Sequence, residues 1–173
     1  KNYIFKRTAF DSKFFFKLFY KDADEIYEAL YNYDESPYTL QQWALYKAHL
    51  GDYSTAFNYI DKAISRYSSN FSIKNTRAII LFEANKGIKN EQALNGMKEA
   101  MITLTECYDS DKRKIYHAKK YAEFAIYLVE EYQNYDYLEI ANDWMEKIHP
   151  NGENNYLSTQ KLKEKIKTLL KCD

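Results

Sequence analysis

Three histidines, His49, His117 and His149, are the side chains best suited to bind a metal or move a proton near neutral pH. They fall on separate predicted elements and form no His-Glu-x-x-His pattern, so they read as exposed or groove-lining histidines. Cys107 and Cys172 are far apart and belong to no CxxC or Cys/His spacing, which argues against a zinc site or a disulfide framework. Cys107 follows Met101-Ile102-Thr103-Leu104 on an apolar helical pattern and reads as a small core residue, not a nucleophile. The carboxylate pairs Glu130-Glu131, Asp109 with Asp111, and Asp34-Glu35 sit near predicted helix ends, where capping and solvation account for them. A hydrolytic pair would need two acids facing each other at about 5–9.5 Å, and no spacing here implies that. The four glycines, Gly51, Gly87, Gly96 and Gly152, are isolated and build no phosphate-cradling loop. The expectation is therefore no catalytic residue, no cofactor and no metal.

Charge narrows the partners. Lys plus Arg and Asp plus Glu each number 25, so no overall field recruits nucleic acid or an anionic membrane. The basic clusters Lys6-Arg7, Lys112-Arg113-Lys114 and Lys119-Lys120 read as solvated helix surface. Eighteen Tyr and 10 Phe could in principle stack on bases, but most fall at core spacing, and nucleic-acid binding is not expected. The Phe14-Phe15-Phe16 cluster is bounded by Lys13 and Lys17, and no stretch approaches the roughly 20 apolar residues of a membrane span. With no visible secretion signal, a cytoplasmic setting is expected. A start at Lys1 in place of Met suggests a module cut from a longer polypeptide, whose other domains then count among its partners.

The elements that position these side chains are helical. Only 4 Gly and 2 Pro occur, too few for the turns of a β-rich chain of 173 residues. A composition 46% hydrophobic and 29% charged suits one domain over residues 1–173. A repeated pattern runs through Ala23-Tyr27-Leu30, Ala56-Ile60-Ala63, Ala93-Met97-Ala100 and Ala141-Met145-Ile148, each a small residue followed by residues four and seven positions on. Such spacing is one stripe of a helix, and the small residue lets a neighbouring helix approach closely. Upstream of the second stripe, Leu40, Trp43, Ala44, Leu45 and Ala48 lead into Gly51-Asp52-Tyr53. Gly51 can adopt the left-handed conformation that ends one helix, and Asp52 can cap the next.

These features predict helices near 10–20, 22–33, 38–50, 53–67, 71–85, 90–108, 112–132, 136–148 and 155–171. They pair as 10–33, 38–67, 71–108 and 112–148, with 155–171 as a C-terminal capping helix. In that last helix Leu162, Ile166, Leu169 and Leu170 share a face, among Lys161, Lys163, Lys165 and Lys167.

The stretch from Trp43 to Ala63, with Ala48 in the first helix, Gly51-Asp52-Tyr53 at the turn, then Ala56 and Ala63, resembles the core of a tetratricopeptide repeat. The step from Ala23 to Ala56 is close to that family's period of about 34 residues. The chain departs from the family in its stretched third turn, Asn85 to Asn90, in the long step from Ala93 to Ala141, and in Lys47, where the family usually carries an aromatic. Its prolines, Pro37 and Pro150, keep the family's repeat-closing position only loosely. The resemblance implies an all-α superhelix of antiparallel helix pairs that acts as a scaffold, binding a peptide or protein along the first helix of each pair.

On that resemblance the inward-facing residues are Gln41, Leu45, Ala48 and His49 in the second pair, and Asn75, Ile79, Phe82 and Glu83 in the third. In the fourth they are Lys119, Glu123, Ile126 and Tyr127. Some family members clamp acidic peptide tails with a basic, amide-rich groove; Lys74 and Arg77 lie beside Asn75 but read as surface charge. A second reading starts from Ile73 to Asn85, which looks similar to stretches in the helical tails of large prokaryotic defence ATPases and NAD-hydrolysing proteins. It makes the chain a C-terminal sensor or regulatory module.

Overall fold

The computed structural model describes residues 23–108, 114–148 and 153–171. Outside them lie the predicted helix near 10–20, Lys6-Arg7, the Phe14–Phe16 cluster, Asp109, Asp111, Lys112-Arg113, His149, Pro150, Gly152 and Cys172. Among the described residues the chain is all-helical with no strand. In order they form α1 (Ala23–Asp34), α2 (Pro37–His49), α3 (Tyr53–Arg66), α4 (Phe71–Asn85), α5 (Glu91–Tyr108), α6 (Lys114–Tyr132), α7 (Leu138–Lys147) and α8 (Glu153–Leu169). The chain divides into two compact units between Ile80 and Leu81, within α4.

In the first unit α2 lies against both α1 and α3. Pro37 starts α2 where a missing N–H costs nothing, and α2 ends as its composition demands. Gly51 takes φ +79°, its N–H bonds the Ala48 carbonyl at 3.0 Å, and the Asp52 N–H bonds that of Lys47 at 3.0 Å. These are the two bonds of a Schellman ending. The Asp52 side chain then accepts from the Thr55 N–H at 3.2 Å and opens α3, so two residues suffice to reverse the chain.

The repeated stripes are core. Ala56, Ile60 and Ala63 have no exposed surface, Ala23 and Tyr27 are buried, and Leu30 alone of the twelve stripe residues is only half-buried. Around them Tyr27, Trp43, Tyr46 and Tyr59 form a ring cluster, with Trp43 stacked on Tyr59 at 4.2 Å between centroids. Lys47, the residue that departs from the repeat pattern, has its own partner. Its ammonium lies 2.7 Å from Asp24, whose other oxygen accepts from the Trp43 indole N–H at 2.6 Å. One carboxylate of α1 thus holds two side chains of α2.

In the second unit α6 lies against α5 and α7, and α8 packs on both α6 and α7. Ala93, Met97, Ala100, Ala141, Met145 and Ile148 are buried as their spacing predicts. Gly96 lets the Asn85 side chain lie against α5, since a Cβ there would come within 2.7 Å of it. Ile166 and Thr159 of α8 are buried, and its lysines do more than solvate. Lys165 pairs with Glu130 of α6 at 2.6 Å, while Lys163 and Lys167 share Glu146 of α7 at 3.6 and 3.0 Å. Those two cations hold the Glu146 carboxyl below its ordinary pKa, Lys167 most strongly through its hydrogen bond.

Candidate functional site

Ten of the twelve side chains expected to face inward fall into three groups, with Phe82 in two of them; of the other two, Ala48 is half-buried and Ile126 buried. Gln41, Asn75, Ile79 and Phe82 are buried, with 3%, 1%, 7% and 0% of their surface exposed, so none of them is offered to a partner while the helices stay packed. The Gln41 amide instead ties α2 to α4. It donates to Thr76 Oγ1 at 2.6 Å and to the Ser72 carbonyl at 3.0 Å, and the Thr76 hydroxyl donates to that same carbonyl at 3.0 Å. Polar groups buried this way stabilise only because they are satisfied, and they select one register between the helices.

Leu45, His49 and Lys119 form a second, scattered group. Leu45 packs on the apolar core of the first unit and His49 is exposed at the end of α2. Lys119 reaches across to the Ser158 hydroxyl on α8 and ties α6 to α8.

Phe82, Glu83, Glu123 and Tyr127 are the third group, and they converge. Phe82 stacks face to face on Phe124, centroids 3.7 Å apart and planes 4° from parallel, and meets the Tyr127 ring edge-on at 5.9 Å. Glu83 and Glu123 both reach Lys120 at 3.3 Å, and Lys120 lies 5.0 Å over the Phe124 ring. Burial alone would lower the Lys120 pKa, but Glu123 and then Glu83 outweigh it and raise it, so the ammonium stays charged. Lys86 approaches Glu83 at 3.8 Å and covers Tyr127 at 5.1 Å, while the Tyr127 hydroxyl accepts from the Gly87 N–H at 2.8 Å. Gly87, at φ +84°, turns the chain so that this N–H points there.

The result is a surface of alternating charge around the Tyr127 ring, backed by two buried stacked rings, with Glu123 exposed and Glu83, Lys120 and Tyr127 half-buried. Sequence reasoning named Lys119 and passed over its neighbour Lys120. The missed signal was the spacing of Lys120 to Glu123, three residues apart on a helix and so on one face.

Arg77, weighed for a carboxylate clamp, is engaged by Asp61 at 2.8 Å. Among the described residues no three His, Cys, Asp or Glu side chains gather as a metal site would need, and no helix is long and apolar enough to cross a membrane. Compared with known proteins, the chain matches no family model, no curated protein and no solved structure.

Proposed function

We propose that this chain is a tetratricopeptide-like array of helix pairs that works without catalysis, binding a peptide or protein segment on side chains from the last turns of α4 and from α6. The observation that supports it is the convergence of Glu83, Glu123 and Tyr127 on one surface with Lys120, backed by the buried stack of Phe82 on Phe124. A surface with both signs of charge around the half-buried Tyr127 ring suits a partner recognised by mixed polar and apolar contacts. In such interfaces a few aromatic and charged anchors carry most of the energy. The three-centre array of Glu83, Lys120 and Glu123 is compact enough for a partner's cation to join the carboxylates, or a partner's carboxylate to compete for the lysine.

The test is site-specific photo-crosslinking in the native cell, with the reactive residue placed at Glu123, at Tyr127, or at Glu99 on the exposed face of α5. The reading requires one discrete crosslinked product from Glu123 and Tyr127 and none from Glu99. The product from Tyr127 should disappear when Glu83→Lys and Glu123→Lys are combined. Equal crosslinking at all three positions would remove this surface from consideration.

A further inference from the structure

Four aromatic rings described in the first unit are exposed: Tyr33 of α1, and three others that fall near one end of α2 and α4. Tyr38 at the start of α2, Tyr67 just beyond α3 and Phe71 at the start of α4 keep 44%, 48% and 40% of their surface exposed. The first two are held in place. Tyr67 meets Tyr38 edge-on at 6.4 Å, and the Tyr38 hydroxyl accepts from the Asn70 amide at 2.8 Å. Asn70 is itself fixed, because its side-chain oxygen accepts from the Ile73 N–H at 3.1 Å and caps α4. Exposed rings fixed in orientation lose little entropy when they bind something, which favours their use as anchors.

Charge decides what that something is. The acids around this end of the unit are all engaged. Asp34 accepts from the Ser36 N–H at 3.0 Å, Glu35 pairs with Arg66 at 3.3 Å, and Asp61 pairs with Arg77 at 2.8 Å. Two lysines differ. Lys74 lies 5.8 Å from the Phe71 ring and Lys62 4.8 Å from the Tyr31 ring, and among the described residues neither ammonium has a carboxylate within ion-pair distance. Of the anchors, Phe71 therefore has an uncompensated positive charge, Lys74, beside it. A nucleic-acid strand, with a phosphate at every step, would have to lie along Asp34, Glu35 and Asp61 as well. A peptide carrying one or two acidic residues would not.

We infer that Tyr38, Tyr67, Asn70, Phe71 and Lys74 form a docking surface for an extended acidic peptide, separate from the surface on α6. The rings take its apolar or proline side chains, and Lys74 takes a carboxylate. Random-peptide phage display against the immobilised full chain supplies the probe. The enriched peptides carry Asp or Glu next to an aromatic residue or proline.

For the strongest of them, measured by fluorescence anisotropy, Tyr38→Ala with Tyr67→Ala weakens affinity at least about tenfold. Lys74→Glu, a change at a half-buried helix position checked by an unchanged circular-dichroism spectrum, weakens it several-fold, and a peptide whose acid is replaced by lysine regains part of that loss on the Lys74→Glu chain. Glu83→Lys with Glu123→Lys leaves affinity unchanged, which separates this inference from the proposed function. Failure to enrich any peptide, enrichment of peptides without acids, or indifference to Lys74→Glu overturns it. So does competition by oligouridylate for the same peptide.

Discussion

The end of α2 in the first unit and the end of α6 in the second reverse the chain with different residues at the critical position. At α2 the left-handed residue is Gly51, φ +79°, followed at once by the Asp52 cap. At α6 it is Gln133, φ +52°, whose N–H bonds the Val129 carbonyl at 2.9 Å while the Asn134 N–H reaches back to Leu128 at 3.2 Å. The next helix, α7, has Tyr137 at its N-cap with no side-chain cap bond. A left-handed backbone position is visible in a sequence when glycine fills it and invisible when glutamine does. The two ends therefore differ in legibility and also in strain, and mutations should separate them.

The ring stacks give the widest contrast between the units. Phe124 is 2% exposed and lies flat on Phe82, whereas Tyr59, stacked on Trp43, is only half-buried. Phe124→Ala leaves a cavity and should cost about 3–5 kcal/mol in chemical denaturation, and Tyr59→Ala roughly half that. Equal losses would mean that the second unit collapses around the missing ring.

Alkali probes the same cores without mutation. Burial pushes the Tyr121 phenol up to about 12, against a smaller opposing effect of the Thr105 hydroxyl, and burial with Tyr46 nearby pushes Tyr27 in the first unit higher still. A phenol whose folded pKa is raised favours the folded state fully below its ordinary value of about 10, and that contribution is lost as pH rises through the folded pKa. Stability should be flat with respect to these groups up to about pH 10 and fall between there and about pH 12. Tyrosinate absorbance of the buried group should appear together with loss of helical circular dichroism. Tyr121→Phe should flatten the lower part of that fall, leaving the part due to Tyr27.

At the α2 end, Gly51→Ala isolates the backbone term, because a Cβ there meets nothing within 4 Å. The expected loss is about 1–2 kcal/mol, all of it from placing a side chain at positive φ. A neutral result would show that the turn relaxes.

Much of this fold could be read from the chain because each helix carries its own evidence. The alanine-led stripes, the Gly51-Asp52 turn and Asn90, whose side chain accepts from the Ala93 N–H at 2.8 Å, are local features acting within one or two turns. The site was harder. Periodicity states which residues share a face but not how many faces are covered. Helix α2 buries Thr39, Leu40, Gln41, Trp43, Ala44 and Tyr46, nearly all round, since α1 and α3 flank it and Gln41 bonds Ser72 and Thr76 of α4. An inner face drawn from spacing alone therefore put Gln41 in the open. In the same way Lys47 looked like a flaw in the repeat until Asp24, 23 positions earlier, supplied its partner.

Gln133→Gly is the smallest expected effect and the one that bears most directly on the contrast between the two helix ends. Relief of the left-handed strain favours the folded state by about 1 kcal/mol, and the greater freedom of glycine in the unfolded chain takes back roughly half or more of it. The net should be a gain of a few tenths of a kcal/mol, opposite in sign to Gly51→Ala. The measurement is a pair of urea titrations read against Gln133→Ala, which retains both the strain and the Cβ. If Gln133→Gly destabilises the chain while Gln133→Ala does not, the backbone at α6 is not strained and the glutamine is an ordinary occupant. If glycine stabilises and alanine leaves stability unchanged, the two ends demand the same backbone geometry, and only α2 has the residue that meets it without cost.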